Sequence, residues 1–130
     1  MENIKALVYV SCLDMPKSVI VIDDDEDTVR LFSEFLEENN ILVIGNGYDG
    51  ITAVKLYKET KPDVVLIDLN MSNGNGFYAI KKIYDINPKA HIIAVSADGS
   101  FTTEEKLQKL NIPLIQKPFK MDQVISMIQN

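Results

Sequence analysis

SVIVIDDDEDTV, residues 18–29, runs an apolar segment straight into Asp23, Asp24 and Asp25, with Glu26 and Asp27 behind them. Ser18 to Ile22 has strand length, is rich in β-branched residues and does not alternate with polar ones, the pattern of a parallel strand covered on both faces. Acids packed at the mouth of a core repel one another, so other groups must offset them. Which groups do so decides the reading of the whole chain.

Working outward, similar apolar runs recur at Ile41 to Ile44, Asp63 to Ile67, His91 to Val95 and Leu114 to Gln116. Helix-period segments lie between them. Val29, Phe32, Phe35 and Leu36 form one stripe, and Met121, Val124, Ile125 and Ile128 recur at i, i+3, i+4 and i+7. Segments 50–59 and 76–86 are similar, and 102–110 (TTEEKLQKL) is the most polar. Five β-α units of this kind predict an α/β fold, a doubly wound five-stranded parallel sheet with helices on both faces and right-handed crossovers. Ligands in such sheets bind at the carboxyl ends of the strands, where the strand order reverses.

The 130 residues suit one domain, and 46% hydrophobic content is enough for a packed core. A formal net charge of -6 argues against direct nucleic-acid or anionic-membrane binding, which needs a basic surface. The single cysteine, Cys12, forms no internal disulfide and fits a reducing compartment. ALVYVSCL, residues 6–13, is too short to span a bilayer and lacks a positive start and a cleavage site, so the expected location is cytoplasmic.

The residues after each strand converge on one rim. They are Asp23 and Asp24 after the first, Asp68 after the third, Ser96 and Ala97 after the fourth, and Lys117 and Pro118 after the fifth. If the three carboxylates sit on the order of 5 Å apart, each pair repels by roughly 3 kcal/mol at an effective dielectric near 20. Lys117 neutralises one of three. A divalent cation balances the remainder, and an all-oxygen donor set suits Mg²⁺, with Mn²⁺ able to replace it.

IVIDDDE, VVLIDLNMSNGNG, IIAVSA and LIQKPF, in this order and at these intervals, resemble the receiver domain of bacterial and archaeal response regulators over residues 18–130. The resemblance implies a flavodoxin-like sheet of strand order 2-1-3-4-5, with residues 1–17 as an N-terminal extension of unknown structure. It implies that Asp68 is the phosphoacceptor. It implies Mg²⁺ bound directly by Asp24 and Asp68, through water by Asp23, and by the backbone carbonyl of Asn70. Ser96 would donate to a phosphoryl oxygen, helped by the Ala97 amide, and Lys117 would pair with the phosphoryl group and Asp68. The Lys117-Pro118 peptide is expected to be cis.

The implied function is that of a stand-alone receiver in a two-component phosphorelay. It takes a phosphoryl group from a phosphohistidine on a sensor kinase or phosphotransfer protein and switches binding to a downstream protein. Such a chain catalyses only its own phosphotransfer and dephosphorylation. Two alternatives are a non-phosphorylated pseudo-receiver that serves protein contact alone, and a small phosphatase with an aspartyl-phosphate intermediate. The full set of acids, hydroxyl and lysine argues against the first, and the absence of a recognisable substrate pocket or cap against the second.

Blander readings compete at several positions. Asp25 reads as a helix N-cap, with Glu26 and Asp27 favoured in the first turn by the helix dipole. Asp23, Asp25, Asp27 and Glu34 fall at calcium-loop positions, but Thr28 stands where that loop needs glycine. Asp25-x-Asp27-x-Val29 also matches a haloacid-dehalogenase nucleophile motif, in which the first Asp should end the strand. His91 reads as a surface or satisfied histidine, Gly76 as a tight turn into the third helix, and Phe119 as a core anchor.

Three residues depart from the receiver pattern. Ser72 stands where many members have proline and Asn75 where an acid is common. Leu114 replaces the usual Tyr, Phe or His, the ring that swings inward as the hydroxyl residue turns to the phosphate. Residues 1–14 lie outside the resemblance, and ALVYVSCL is expected to add an edge strand or pack on a partner.

Overall fold

The computed structural model describes residues 16–72 and 75–129. The elements in chain order are β1 (Ser18–Ile22), α1 (Glu26–Glu38), β2 (Leu42–Gly47), α2 (Gly50–Thr60), β3 (Val64–Asp68), α3 (Gly76–Ile86), β4 (Ile92–Ser96), α4 (Phe101–Lys109), β5 (Leu114–Gln116) and α5 (Met121–Gln129). The five strands form one parallel sheet of order β2-β1-β3-β4-β5, the flavodoxin-like arrangement expected from the sequence. The order reverses between β1 and β3, which places the carboxyl ends of those two strands at the switch point.

The continuous apolar runs are explained by the two cores they serve. Ile20 and Ile22 of β1, Val65 and Ile67 of β3, and Ile92 and Ala94 of β4 pack with Ala53, Tyr57, Ala79, Ile80, Ile83 and Leu107 from α2, α3 and α4. The alternate residues Val19, Val21, Val64, Leu66, Ile93 and Val95 pack on the opposite face with Val29, Phe32 and Leu36 of α1 and Val124 and Ile128 of α5. A strand with apolar partners on both sides has no polar face to display. The polar segment that became α4 buries Leu107 alone among its residues, and it is held by its ends. Ser100 caps it by accepting from Thr103 N, and Lys106 and Lys109 favour its last turn.

The second strand is longer than expected. Its predicted end at Ile44 is passed, and pairing with β1 continues through Gly45, Asn46 and Gly47, residues that ordinarily disfavour strands. Close approach of α2 explains the glycine at 47. A Cβ there would lie 2.9 Å from Ile22 Cδ1 and 3.3 Å from both Leu56 Cδ1 and Thr52 Cγ2. Smaller shifts occur at β3 and β4, which each begin and end one residue later than expected, so that Asp68 and Ser96 are the last strand residues. Of the N-terminal expectations, the apolar run 6–13 lies outside the described residues.

Candidate functional site

Strand geometry delivers the first two acids. The N–H of Asp23 donates to Gly47 O at 3.1 Å, which carries the β1–β2 ladder past the end of the strand. Its Oδ1 then accepts from Asp25 N at 3.0 Å. Asp68 repeats the device at the end of β3, with Oδ1 accepting from Asn70 N at 2.8 Å. In both places a strand-end carboxylate turns the chain by taking the amide two residues on, and its second oxygen stays available to the cleft. Both side chains are buried, Asp23 at 5% and Asp68 at 4% exposure.

Asp24 is half-buried and reaches across the cleft, where Oδ2 accepts from Ser72 N at 2.7 Å. This bond depends on a departure from the receiver pattern, because a proline at position 72 would have no N–H to donate. The same amide is the first cause of the lowered pKa of Asp24. The other departure in this loop also has a partner, since Asn75 Oδ1 accepts from Gly50 N at 2.7 Å and ties the loop to the start of α2. Gly76 is favoured for space. A Cβ there would sit 3.1 Å from both Asp68 O and Leu69 Cα, so a larger residue would push the start of α3 a few tenths of an ångström away from the end of β3.

Ligand oxygens of Asp23, Asp24 and Asp68 all lie within 4.8 Å of one another. Lys117 enters from the end of β5, its Nζ 3.1 Å from Asp68 Oδ2 and 3.7 Å from Asp23 Oδ2. Burial alone would lower its pKa, but the Asp68 hydrogen bond and the charges of Asp68 and Asp23 outweigh that and raise it. One cation against three carboxylates leaves the cleft negative. Asp23 shows the strain: burial first, and then the charge of Asp68, lift its carboxyl to about 6 against the Asp25 amide. An all-oxygen, over-negative cluster of this kind fits a hard divalent cation, and Asp23, Asp24, Asp68 and the Asn70 carbonyl are the residues that would hold it.

The far wall is made by the end of β4. Ser96 is fully buried, and its carbonyl accepts from Lys117 N at 2.8 Å, which registers the lysine against the hydroxyl. Ser96 Oγ accepts from Asp98 N at 2.9 Å and donates to Asn70 Oδ1 at 2.5 Å. Ala97 N donates to the same Asn70 oxygen at 2.9 Å. The part of the Asn70 side chain was not read from the sequence, where only its carbonyl was considered. Two residues on, Asp98 gathers Ser100 N, Ser100 Oγ and Thr103 Oγ1 into the start of α4. The D-x-S-x-x-T spacing of residues 98–103 was a readable sign of that turn.

The Lys117-Pro118 peptide is cis, as expected. Phe119 packs on Phe32 with ring centroids 5.6 Å apart, and Leu114 packs against the α2–α4 face of the core. Asp25 holds the N-cap position of α1, but its carboxylate takes the Thr28 hydroxyl at 2.6 Å and not a backbone amide. The calcium-loop reading fails because its residues from Glu26 on are wound into α1, with Asp27 exposed and pairing with Arg30. The dehalogenase reading fails because Asp25 is exposed and lies beyond the strand end that Asp23 occupies. His91 is half-buried, and its carbonyl accepts from Val65 N at the entry to the sheet, far along the strand from the acids.

Comparison with known proteins bears on this cleft. The response regulator receiver domain matches residues 19–129. The chain belongs to the response regulator receiver family. Among the receiver's relatives, the chemotaxis protein CheY of Thermotoga maritima is 35% identical over 112 residues, which is 85% of this chain and 93% of that protein. CheY of Bacillus subtilis is 31% identical over 88% of this chain and 96% of its own. Of solved structures, the response regulator domain of Thermotoga maritima CheB matches with a TM-score of 0.72 at 29% identity, covering 88% of this receiver and 91% of that chain. CheY in a CheX-CheY-BeF3-Mg complex from Borrelia burgdorferi reaches 0.81 at 24% identity, over 88% and 87%, a likeness of fold. Among the described residues no helix is long and apolar enough to cross a membrane.

Proposed function

We propose that this receiver accepts a phosphoryl group on Asp68 from a phosphohistidine of a sensor kinase or phosphotransfer protein, and that the modified form binds a downstream protein. A carboxylate oxygen of Asp68 attacks phosphorus, the P–N bond to the imidazole breaks, and the imidazole nitrogen keeps the electron pair and takes up a proton. The product is a mixed anhydride. The difficulty is an anion attacking an anion, and Mg²⁺, or Mn²⁺ in its place, supplies the positive charge that offsets it. Asp23, Asp24, Asp68 and the Asn70 carbonyl are the proposed holders of that ion. Lys117 lies against Asp68 and moves its ammonium onto the incoming phosphoryl oxygens. Ser96 and the Ala97 amide have hydrogens to donate on the opposite side.

The observation that carries this reading is the convergence of Lys117 and two further carboxylates on one buried aspartate at the switch point of the sheet. A scaffold for protein contact needs no such over-negative cluster. The relatives named CheY and the metal and fluoride complex of one of them support it. The acidic net charge of -6 supports a protein partner over a nucleic acid, and we place the protein in the cytoplasm, where such kinases present their phosphohistidines. Incubation with Mg²⁺ and acetyl phosphate, read by intact mass, should give an acid-stable, base-labile adduct of one phosphoryl group. Asp68→Asn should abolish it. A wild-type protein that stays unmodified with either Mg²⁺ or Mn²⁺ would overturn the proposal and favour a protein-interaction module.

A further inference from the structure

Ser96 and Ala97 carry the two hydrogens that a phosphoryl oxygen on Asp68 would take, yet in the unmodified protein both already point at a single atom. Asn70 Oδ1 accepts from Ser96 Oγ at 2.5 Å and from Ala97 N at 2.9 Å. The direction of the first bond is forced. Ser96 Oγ receives the Asp98 amide at 2.9 Å, so its own proton is the one directed at Asn70, and a hydroxyl at 0% exposure cannot leave that proton without an acceptor. The backbone of Asn70 is anchored independently, its N–H on Asp68 Oδ1 at 2.8 Å. Its carboxamide is therefore free to turn while its main chain stays beside the acceptor. Residue 70 as a whole is exposed, so a carboxamide turned outward meets water.

The geometry points to Asn70 as a built-in surrogate: in the unmodified protein its carboxamide oxygen occupies the seat of a phosphoryl oxygen, and phosphorylation exchanges the one oxygen for the other. The inference rests on the reading of Asp68 as acceptor. A carboxamide oxygen is a neutral acceptor with partial negative charge. A phosphoryl oxygen is a charged one, and bonds from the same two donors to it are about twice as strong, so the exchange runs towards the modified state. Ser96 already directs its proton at that seat and has no swing to make. The group that moves is Asn70. This suits a chain in which Leu114 takes the place of the aromatic ring that follows the hydroxyl in other receivers. Asn70 is on this account a positioning residue, which keeps the two donors aimed and competes with the group they await.

The test compares wild type with Asn70→Ala, which leaves the backbone carbonyl in place. Far-UV circular dichroism and urea unfolding of the metal-free proteins serve as the check on folding. In the metal-free, unmodified proteins, amide hydrogen exchange at Ala97 should be faster in the variant, because the acceptor of that N–H is gone. Titration with beryllofluoride in saturating Mg²⁺ should show the variant binding roughly tenfold more tightly, the size expected when one or two net hydrogen bonds no longer compete. A damaged fold would weaken binding, so a gain isolates the competition. Equal or weaker beryllofluoride binding by the variant, or unchanged exchange at Ala97, would overturn the surrogate and leave the acceptor reading intact. Failure of both proteins to bind beryllofluoride with Mg²⁺ would overturn the acceptor reading and the surrogate together.

Discussion

The two walls of the cleft are in opposite states. On the β1–β3 wall three carboxylates crowd within 4.8 Å with one ammonium among them, and Asp23 is pushed up to about 6. On the β4 wall the Ser96 hydroxyl both donates and accepts, and the Ala97 amide has its acceptor. Among the described residues no buried side-chain polar atom lacks a hydrogen-bond partner. The first wall is fully bonded and electrostatically unrelieved; the second is at rest. A cation therefore relieves the acid wall on arrival, whereas a phosphoryl oxygen has to displace an occupant from the other. One site thus holds a reason to bind metal and a resistance to modification.

The largest expected effect breaks the acid wall. Asp24→Asn removes one charge while its amide oxygen can still accept from Ser72 N, so the loop should hold. Mg²⁺ affinity, measured by calorimetry, should fall on the order of a hundredfold, since a unit charge a few Å from a divalent ion is worth several kcal/mol even when screened. A change below about threefold would remove Asp24 from the proposed ion site.

A somewhat smaller effect shows the strain without any metal. Between the ordinary carboxyl value of 3.8 and about 6, folded Asp23 keeps a proton that the unfolded chain has released. Metal-free stability should therefore fall as pH rises through that window, by roughly 1–2 kcal/mol from this group once screening by solvent is allowed for. Urea unfolding in a chelator, from pH 4 to pH 7, would measure it. Asp23→Asn should flatten that slope, and an unchanged slope would place the strain elsewhere.

The smallest effect concerns the wall at rest. Ser100→Ala deletes the cap of α4 and one of the donors to Asp98, at a cost of about 1 kcal/mol in unfolding free energy. Mg²⁺ affinity should not move. If it did, the two walls would be coupled through the β4–α4 turn, and the contrast between them would have to be redrawn.

Most of the frame was legible from local pattern. Runs such as Val64 to Ile67 read as strands buried on both faces because side chains alternate across a strand, and the two cores take alternate residues. Acids at two strand ends and a lysine at a third converge in any parallel sheet, since all its carboxyl ends share one edge. The misses have a common cause. Gly45 to Gly47 disfavour a strand by local preference, and only the approach of α2 and the ladder to β1 hold them in one. The role of the Asn70 side chain was not legible because its donors lie 26 and 27 residues further along the chain.

By itself, then, the sequence determined the β/α alternation, the parallel sheet and the set of charges at its rim, because these follow from periodicity and from the residues next to each strand end. Tertiary structure alone decided how those charges are met: Ser72 N on Asp24, Lys117 between Asp23 and Asp68, and the Asn70 oxygen between Ser96 and Ala97. Hydrogen bonds and ion pairs are short and directional, so their partners are chosen by which strand ends the fold brings side by side, whatever their distance along the chain.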